Sequence, residues 1–221
     1  MSCRTDGDGK LSGVHPAAQQ TASLGDETAI WLIRHGETEW SKSGQHTGLT
    51  DIALTAQGED QAKGLGPLLA GVGPAFVVCS PLLRARETAR LAGLHVDTVD
   101  PNLAEWDYGA YEGLTTAEIR RSVPGWRLWS QGVPDGETIE EVGGRADRVL
   151  DLARAHLADG PVVLVSHGHI SRVIGARWIG LDPVAGANLA LGTAAPSLLG
   201  AQYGQPVIER WNMPNPAEGG R

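Results

Sequence analysis

The sequence predicts a three-layer α/β/α sandwich built on a mainly parallel sheet. Three observations carry that expectation. Short apolar runs of strand length recur at Ile30-Ile33, Phe76-Cys79, about His95-Val99 and Val162-Val165. Helical apolar periodicity fills the stretches between them. Strands that alternate with helices pair in parallel through crossover connections. A chain of 221 residues, 41% of them hydrophobic, is long enough to bury one such core.

Residues 1–28 carry Gly, Ser, Asp, Gln and Ala without periodicity and without an apolar segment of signal-peptide type, so they are expected to form a disordered extension. The first strand then leads into Arg34. A helix is expected over Thr55 to Ala70, with Ala62, Leu65 and Leu69 on one face. After the second strand, Pro81 opens a helix through Ala85, Ala89 and Leu91. The third strand is followed by Leu103 to Pro134, which shows no clear strand and holds three of the seven Trp and two of the three Tyr. Thr115 with Glu118 marks a short capped helix inside it. This segment reads either as a lid or as a packed surface subdomain. Thr138 with Glu141 caps a longer helix that turns Ile139, Val142, Ala146, Val149, Ala153 and Leu157 inward. The fourth strand precedes a helix over about Ile170 to Ile179. Ser197-Gln202 and Val207-Trp211 then flank Tyr203-Gly204-Gln205-Pro206 as an antiparallel hairpin. The folded domain is thus expected over residues 29–213, with 214–221 as a tail.

Composition excludes some classes. A net charge of −8 disfavours nonspecific nucleic-acid binding. The lack of an apolar run near 18 residues argues against a membrane span. Two cysteines, Cys3 in the extension and Cys79 at the end of an apolar run, give little ground for a disulfide and favour a cytoplasmic location.

Chemistry gathers at predicted strand ends. The first strand delivers Arg34-His35-Gly36-Glu37-Thr38. The second runs into Ser80-Pro81-Leu82-Leu83-Arg84-Ala85, and the fourth into Ser166-His167-Gly168-His169. Parallel strands place their carboxyl ends on one edge, where open α/β sheets bind ligands. Two Arg and two His meeting there suit a phosphate dianion, because guanidinium forks match its oxygens. Taken alone, His35 reads as a nucleophile or a metal ligand.

These four groups, with Glu105 in a Glu-x-x-x-Gly setting, occur in the order of the histidine phosphatase superfamily, and the chain resembles that family across residues 29 to 213. The resemblance implies a phosphoglycerate-mutase-like fold and a set of roles. His35 attacks phosphorus and becomes a phosphohistidine. Arg34, Arg84 and His167 hold the transferring phosphoryl group. Glu105 protonates the leaving oxygen and then activates water, which predicts an acidic-to-neutral optimum. The physics agrees: a cationic neighbourhood keeps an imidazole neutral, and a covalent step divides hydrolysis into two easier displacements. No cofactor or metal is needed for these roles.

Each residue also has a plainer reading. His35 and His167 can be buried structural histidines, and Arg84 can pair along its helix. Arg86 reads as surface charge. Asp107, Glu112 and Glu118 are carboxylates that compete with Glu105. His167 and His169 form a His-x-His that can bind metal, but no carboxylate or Cys stands at ligand spacing.

Substrate contact is assigned to Ser41, Thr47, Gly48, Gly168 and His169. Mutases of the family usually carry Asn at the position of Ser41 and Lys at that of Thr116, which disfavours phosphoglycerate mutation. Ser41 to Asp51 resembles the sedoheptulose-1,7-bisphosphatase branch, and Leu103 to Leu114 resembles bacterial acid phosphatases. The resemblance therefore implies a metal-independent phosphomonoesterase acting on a small phosphorylated metabolite, with a sugar phosphate or bisphosphate favoured. The alternatives are a phosphoglycerate mutase and a non-catalytic phospho-ligand-binding protein. Lys42, His46, Arg120 and Arg121 are candidates for contacts to a distal phosphate or to hydroxyls, against solvated charge as the plain reading. A homodimer is compatible with the resemblance, since many relatives dimerise.

Overall fold

The computed structural model describes residues 24–25 and 27–215. Its strands and helices run β1 (Ile30–Arg34), α1 (Glu39–Ser43), α2 (Ala56–Gly64), α3 (Gly66–Val72), β2 (Phe76–Cys79), α4 (Leu83–Leu91), β3 (Thr98–Val99), α5 (Thr116–Ser122), α6 (Leu128–Gln131), α7 (Ile139–His156), β4 (Val162–Ser166), α8 (Gly168–Trp178), β5 (Pro196–Gln202) and β6 (Gln205–Arg210). The sheet order is β3-β2-β4-β1-β5-β6. β1, β2, β3 and β4 pair in parallel, whereas β5 runs antiparallel to both β1 and β6.

Alternation along the strands sends side chains to two faces. Ile30, Leu32, Val78, Val162 and Leu164 meet α7, α8 and the aromatic segment. Trp31, Ile33, Val77, Cys79, Val163 and Val165 meet α2, α3 and α4. This is the expected three-layer sandwich with a mainly parallel sheet. Cys79 is a buried free thiol, and burial pushes its pKa up to about 12. Among the described residues, no helix is long and apolar enough to cross a membrane.

The differences from expectation have local causes. The helix expected over Thr55 to Ala70 divides at Leu65, because Pro67 enters the first turn of α3 and lacks an N–H for a continuous ladder. The third strand shrinks to Thr98–Val99: the Val77 N–H is taken by the Asp97 carboxylate, not by a strand carbonyl. The hairpin turns on two residues, Tyr203 and Gly204, both with positive φ, which matches the twist of the flanking strands. At the amino end, Leu24 packs on the core and Thr28 is buried, so order begins before residue 29. Residues 1–23, with Cys3 and His15, lie outside the described residues. At the other end, Asn215 is buried and donates to the carbonyls of Gln61 and Ala194, so the packed chain continues past residue 213.

The segment from Leu103 to Pro134 packs Leu103, Trp106, Tyr108, Ile119, Trp126 and Leu128 into the main core. The indole N–H groups of Trp106 and Trp126 donate to the carbonyls of Glu137 and Gly132. Burying indole rings with their N–H satisfied gives large apolar contact without a polar penalty.

One close approach positions the first motif. A Cβ on Gly36 would overlap the carbonyl of Gly58, and a Cβ on Gly58 would overlap the backbone of Glu37. The loop after β1 therefore lies directly on the first turn of α2. Gly36→Ala is expected to cost on the order of 3 kcal/mol, since backbone must move to admit the methyl. Thermal unfolding of this variant measures it, and an unchanged transition would contradict the account.

Candidate active site

The carboxyl ends of β1 and β4 are adjacent, with Arg34 in register with Ser166. The residue after each strand, His35 and His167, is thereby placed on one edge. Their rings lie 5.1 Å apart. His35 is pinned on both sides: its N–H donates to the Ser166 carbonyl, and its own carbonyl accepts from Ala194. From the next layer, Thr88 of α4 accepts from the Gly36 N–H.

The His35 ring is nearly fully buried. Its Nδ1 lies 2.7 Å from the Gly36 carbonyl, an acceptor, so Nδ1 carries the hydrogen. The lone pair is then on Nε2. Burial, followed by the charges of Arg84 and Arg34, pushes the imidazole pKa well below its ordinary 6.5. The ring is neutral at neutral pH and presents a nucleophilic nitrogen.

Arg34 donates from Nη1 to the Leu191 carbonyl, 2.6 Å away, while its buried Nε has no partner. A donor that is buried and unsatisfied is costly, and a functional site is where such a group is found. Gly168 opens α8 beside it. A Cβ there would stand 3.4 Å from both the Arg34 guanidinium and Glu105 Oε2, between the two charges.

Glu105 is buried and accepts three backbone N–H groups, from Trp106, His169 and Ile170. Two of them are orphan donors of the first turn of α8. Oε1 takes two of these bonds and Oε2 takes one, so Oε2 keeps the freer lone pair. Arg145 braces the peptide from behind, donating to the carbonyls of Asn102, Ala104 and Glu105 while it forms a bidentate pair with Glu137. The competing carboxylates are committed elsewhere. Asp107 accepts from Gly109, Glu118 caps α5 through Thr115, and Glu112 accepts from Gly48 and Thr50.

A cavity of about 280 Å³ opens over these groups, lined by Arg34, His35, Glu105 and Gly168 together with Tyr108 and Arg172. Glu105 is the one carboxylate among its lining residues. Ser41, Thr47 and His169 line it as well. The Ser41 hydroxyl is engaged in the capping box of α1 with Thr38. His169 is buried, and its Nδ1 lies 2.6 Å from the Tyr108 hydroxyl. Burial, then Arg172, lowers its pKa well below 6.5. Among the described residues, no group of three or more His, Cys, Asp or Glu is placed to hold a metal ion.

Three of the residues assigned from the sequence sit behind the cavity and not in its lining. Arg84 is fully buried; its Nε donates to His167 Nδ1, and its other donors reach the carbonyls of Thr47, Gly48 and Thr50. One Nη1–H of Arg84 is uncommitted. Because Arg84 occupies Nδ1, His167 carries its hydrogen on Nε2, 2.7 Å from Ser80 Oγ. Burial, then Arg84, drives the His167 pKa well below 6.5. In this arrangement the pair acts on His35 through charge and packing. Gly48 is also withdrawn from substrate contact: its N–H goes to Glu112 and its carbonyl to Arg84. A Cβ there would crowd the Glu112 carboxylate. Arg86, at the exposed face of α4, is surface charge as expected.

The sequence reading missed Arg172 and Tyr108. Arg172 lies four residues after Gly168 on the same helix, a spacing that returns to the same face. Its Nε and Nη2 donate to the carbonyls of Gly186 and Ala187, and its guanidinium sits 4.7 Å above the Trp129 ring. Tyr108 carried no signal beyond its aromatic type.

Known proteins share this architecture. The chain is 46% identical over 177 residues to an acid phosphatase of Mycobacterium tuberculosis (strain ATCC 25618 / H37Rv), covering 79% of this chain and 87% of that protein. It is 38% identical over 182 residues to the sedoheptulose 1,7-bisphosphatase of Saccharomyces cerevisiae (strain ATCC 204508 / S288c), covering 68% and 67%. A solved structure of a Mycobacterium tuberculosis open reading frame matches with a TM-score of 0.82 at 43% identity, over 85% of this chain and 98% of that one. The family model of the histidine phosphatase superfamily (branch 1) matches residues 30–214. Strand order, the two histidines at adjacent strand ends and these matches agree, and the chain belongs to the histidine phosphatase superfamily, branch 1.

Proposed function

We propose that the protein is a metal-independent phosphomonoesterase that hydrolyses small phosphorylated metabolites, sugar phosphates or bisphosphates foremost, through a phosphohistidine at His35. One observation carries this reading. A neutral imidazole with a free Nε2 lone pair shares a cavity with a buried guanidinium N–H that lacks an acceptor. A phosphoryl group suits both, since phosphorus accepts the lone pair and an equatorial oxygen accepts the Arg34 hydrogen.

In the first step, Nε2 of His35 forms a bond to phosphorus as the bond to the leaving oxygen breaks. Glu105 gives that oxygen its proton. In the second, Glu105 takes a proton from water as the water oxygen bonds to phosphorus and the N–P bond breaks. His35 is restored and inorganic phosphate leaves. Fixed arginine charges stabilise the oxygens during both transfers. The relatives named acid phosphatase and sedoheptulose 1,7-bisphosphatase favour hydrolysis over mutation, as does Thr116 lining the cavity where mutases carry Lys. A reducing, cytoplasmic setting is part of the proposal, supported by the free thiol of Cys79.

The test is a phosphate-release screen over sugar phosphates, bisphosphates, phosphoglycerates and nucleotides. Glu105→Gln is expected to slow turnover about 100-fold, most for esters with poor leaving groups. Isomerisation of 3-phosphoglycerate with a bisphosphoglycerate primer, without phosphate release, would overturn the reading.

A further inference from the structure

Next to the catalytic cavity lies a second one of about 540 Å³. The two share His46, Thr116 and His169 as lining residues. The second is lined further by Arg120, Arg127, Trp129 and Ser130. The first cavity alone is smaller than most ligand clefts, whereas the two together fall within their usual range.

The charge of this joint cleft is opposite to that of the molecule. The chain has 26 acidic against 18 basic residues. Yet the two cavities are lined by Arg34, Arg172, Arg120 and Arg127, and by one carboxylate, Glu105. On the surface elsewhere, Arg90 pairs with Glu87 and Arg177 with Asp147, whereas Arg86 and Arg121 form no ion pair among the described residues. Neither Arg120 nor Arg127 forms an ion pair among the described residues. Arg120 is oriented through Nε, which donates to the Trp126 carbonyl at the end of the turn that carries Arg127. Its two terminal nitrogens are left for another acceptor.

We propose that Arg120 and Arg127 form a distal anion subsite, so that the preferred substrate is a phosphomonoester with a second phosphate or carboxylate beyond the reacting group. This rests on the phosphatase reading above. The second anion is recognised in the outer chamber by the paired forks, with the Ser130 hydroxyl as a further donor. His46 and Thr116, whose Oγ1 and Nε2 lie 3.4 Å apart, form the wall between the two ends and face the middle of the ligand. Of the sequence candidates for distal contact, Arg120 and His46 line the cleft, whereas Lys42 and Arg121 do not.

The experiment compares fructose 1,6-bisphosphate with fructose 1-phosphate and fructose 6-phosphate in the wild type, Arg127→Gln and Arg120→Gln/Arg127→Gln. The wild type is expected to prefer the bisphosphate in kcat/KM. The double variant is expected to reduce that preference about 30-fold, through KM. An equal loss on all three esters, or an undiminished preference, would overturn the subsite. Calorimetric titration of His35→Ala with the same three esters reads the subsite without turnover. Tighter binding of the bisphosphate that is lost in the triple variant supports it, and equal affinity for all three overturns it. Absence of hydrolysis of any ester by the wild type would count against the phosphatase reading, separately from this binding result.

Discussion

His35→Ala is expected to lower phosphate release about 10⁴-fold or more, because the variant lacks the atom that receives the phosphoryl group in the proposed mechanism. Structure separates this effect from a folding defect. The residue contributes its main chain to the ordered edge of β1, through bonds to Ser166 and Ala194 that alanine keeps. Among the described residues, the side chain makes one hydrogen bond, to the carbonyl of its own neighbour Gly36. The variant is therefore expected to fold, to bind phosphate esters, and to fail at bond formation. Wild-type protein quenched in acid-free denaturant during turnover of a labelled ester should carry label on His35. Retention of more than about 1% of the wild-type rate would refute the covalent mechanism.

A pH dependence of stability follows from the same burial. His35, His167 and His169 each have a pKa well below 6.5, in every case with burial as the first cause. An unfolded chain protonates these imidazoles near pH 6.5, while the folded protein holds them neutral. Below that pH the unfolded state binds more protons, so stability falls as the pH falls. The loss begins near 6.5 and continues down to the folded-state pKa values. Each histidine contributes about 1.4 kcal/mol per pH unit at the full slope, and the three together about 4 kcal/mol per unit. Denaturant midpoints between pH 6.5 and 5, above most carboxylate titration, isolate this effect. A flat profile there would show that the fold holds none of the three rings neutral. Activity and stability thus separate in acid: the nucleophile stays neutral where the fold is weakening.

Local patterns made the layers of the fold and the candidate nucleophile legible. Apolar runs of four or five residues found β1, β2 and β4, and the capping boxes at Thr115 and Thr138 found the starts of α5 and α7. What failed depended on a single partner distant in sequence. Nothing in His95-Val99 announces that Asp97 displaces a backbone acceptor. At the site, residue type and order indicated His35, Arg34 and Glu105. They could not show that Arg84 and Gly48 are bound to each other and withdrawn from the cavity. Arg127, at the N-cap of α6, carries no sequence signal, because only packing brings that helix start to the groove that Arg120 lines.

The unpartnered Nε of Arg34 also carries a thermodynamic consequence. A buried donor without an acceptor makes the empty protein less stable than its contacts alone allow. An oxyanion that supplies the acceptor binds the native state and leaves the unfolded chain untouched, and so adds RT ln(1 + [L]/Kd) to stability. The product phosphate of the proposed reaction would be such an anion. The fold is accordingly most robust when its chemistry is occupied, and most fragile in acid with nothing bound.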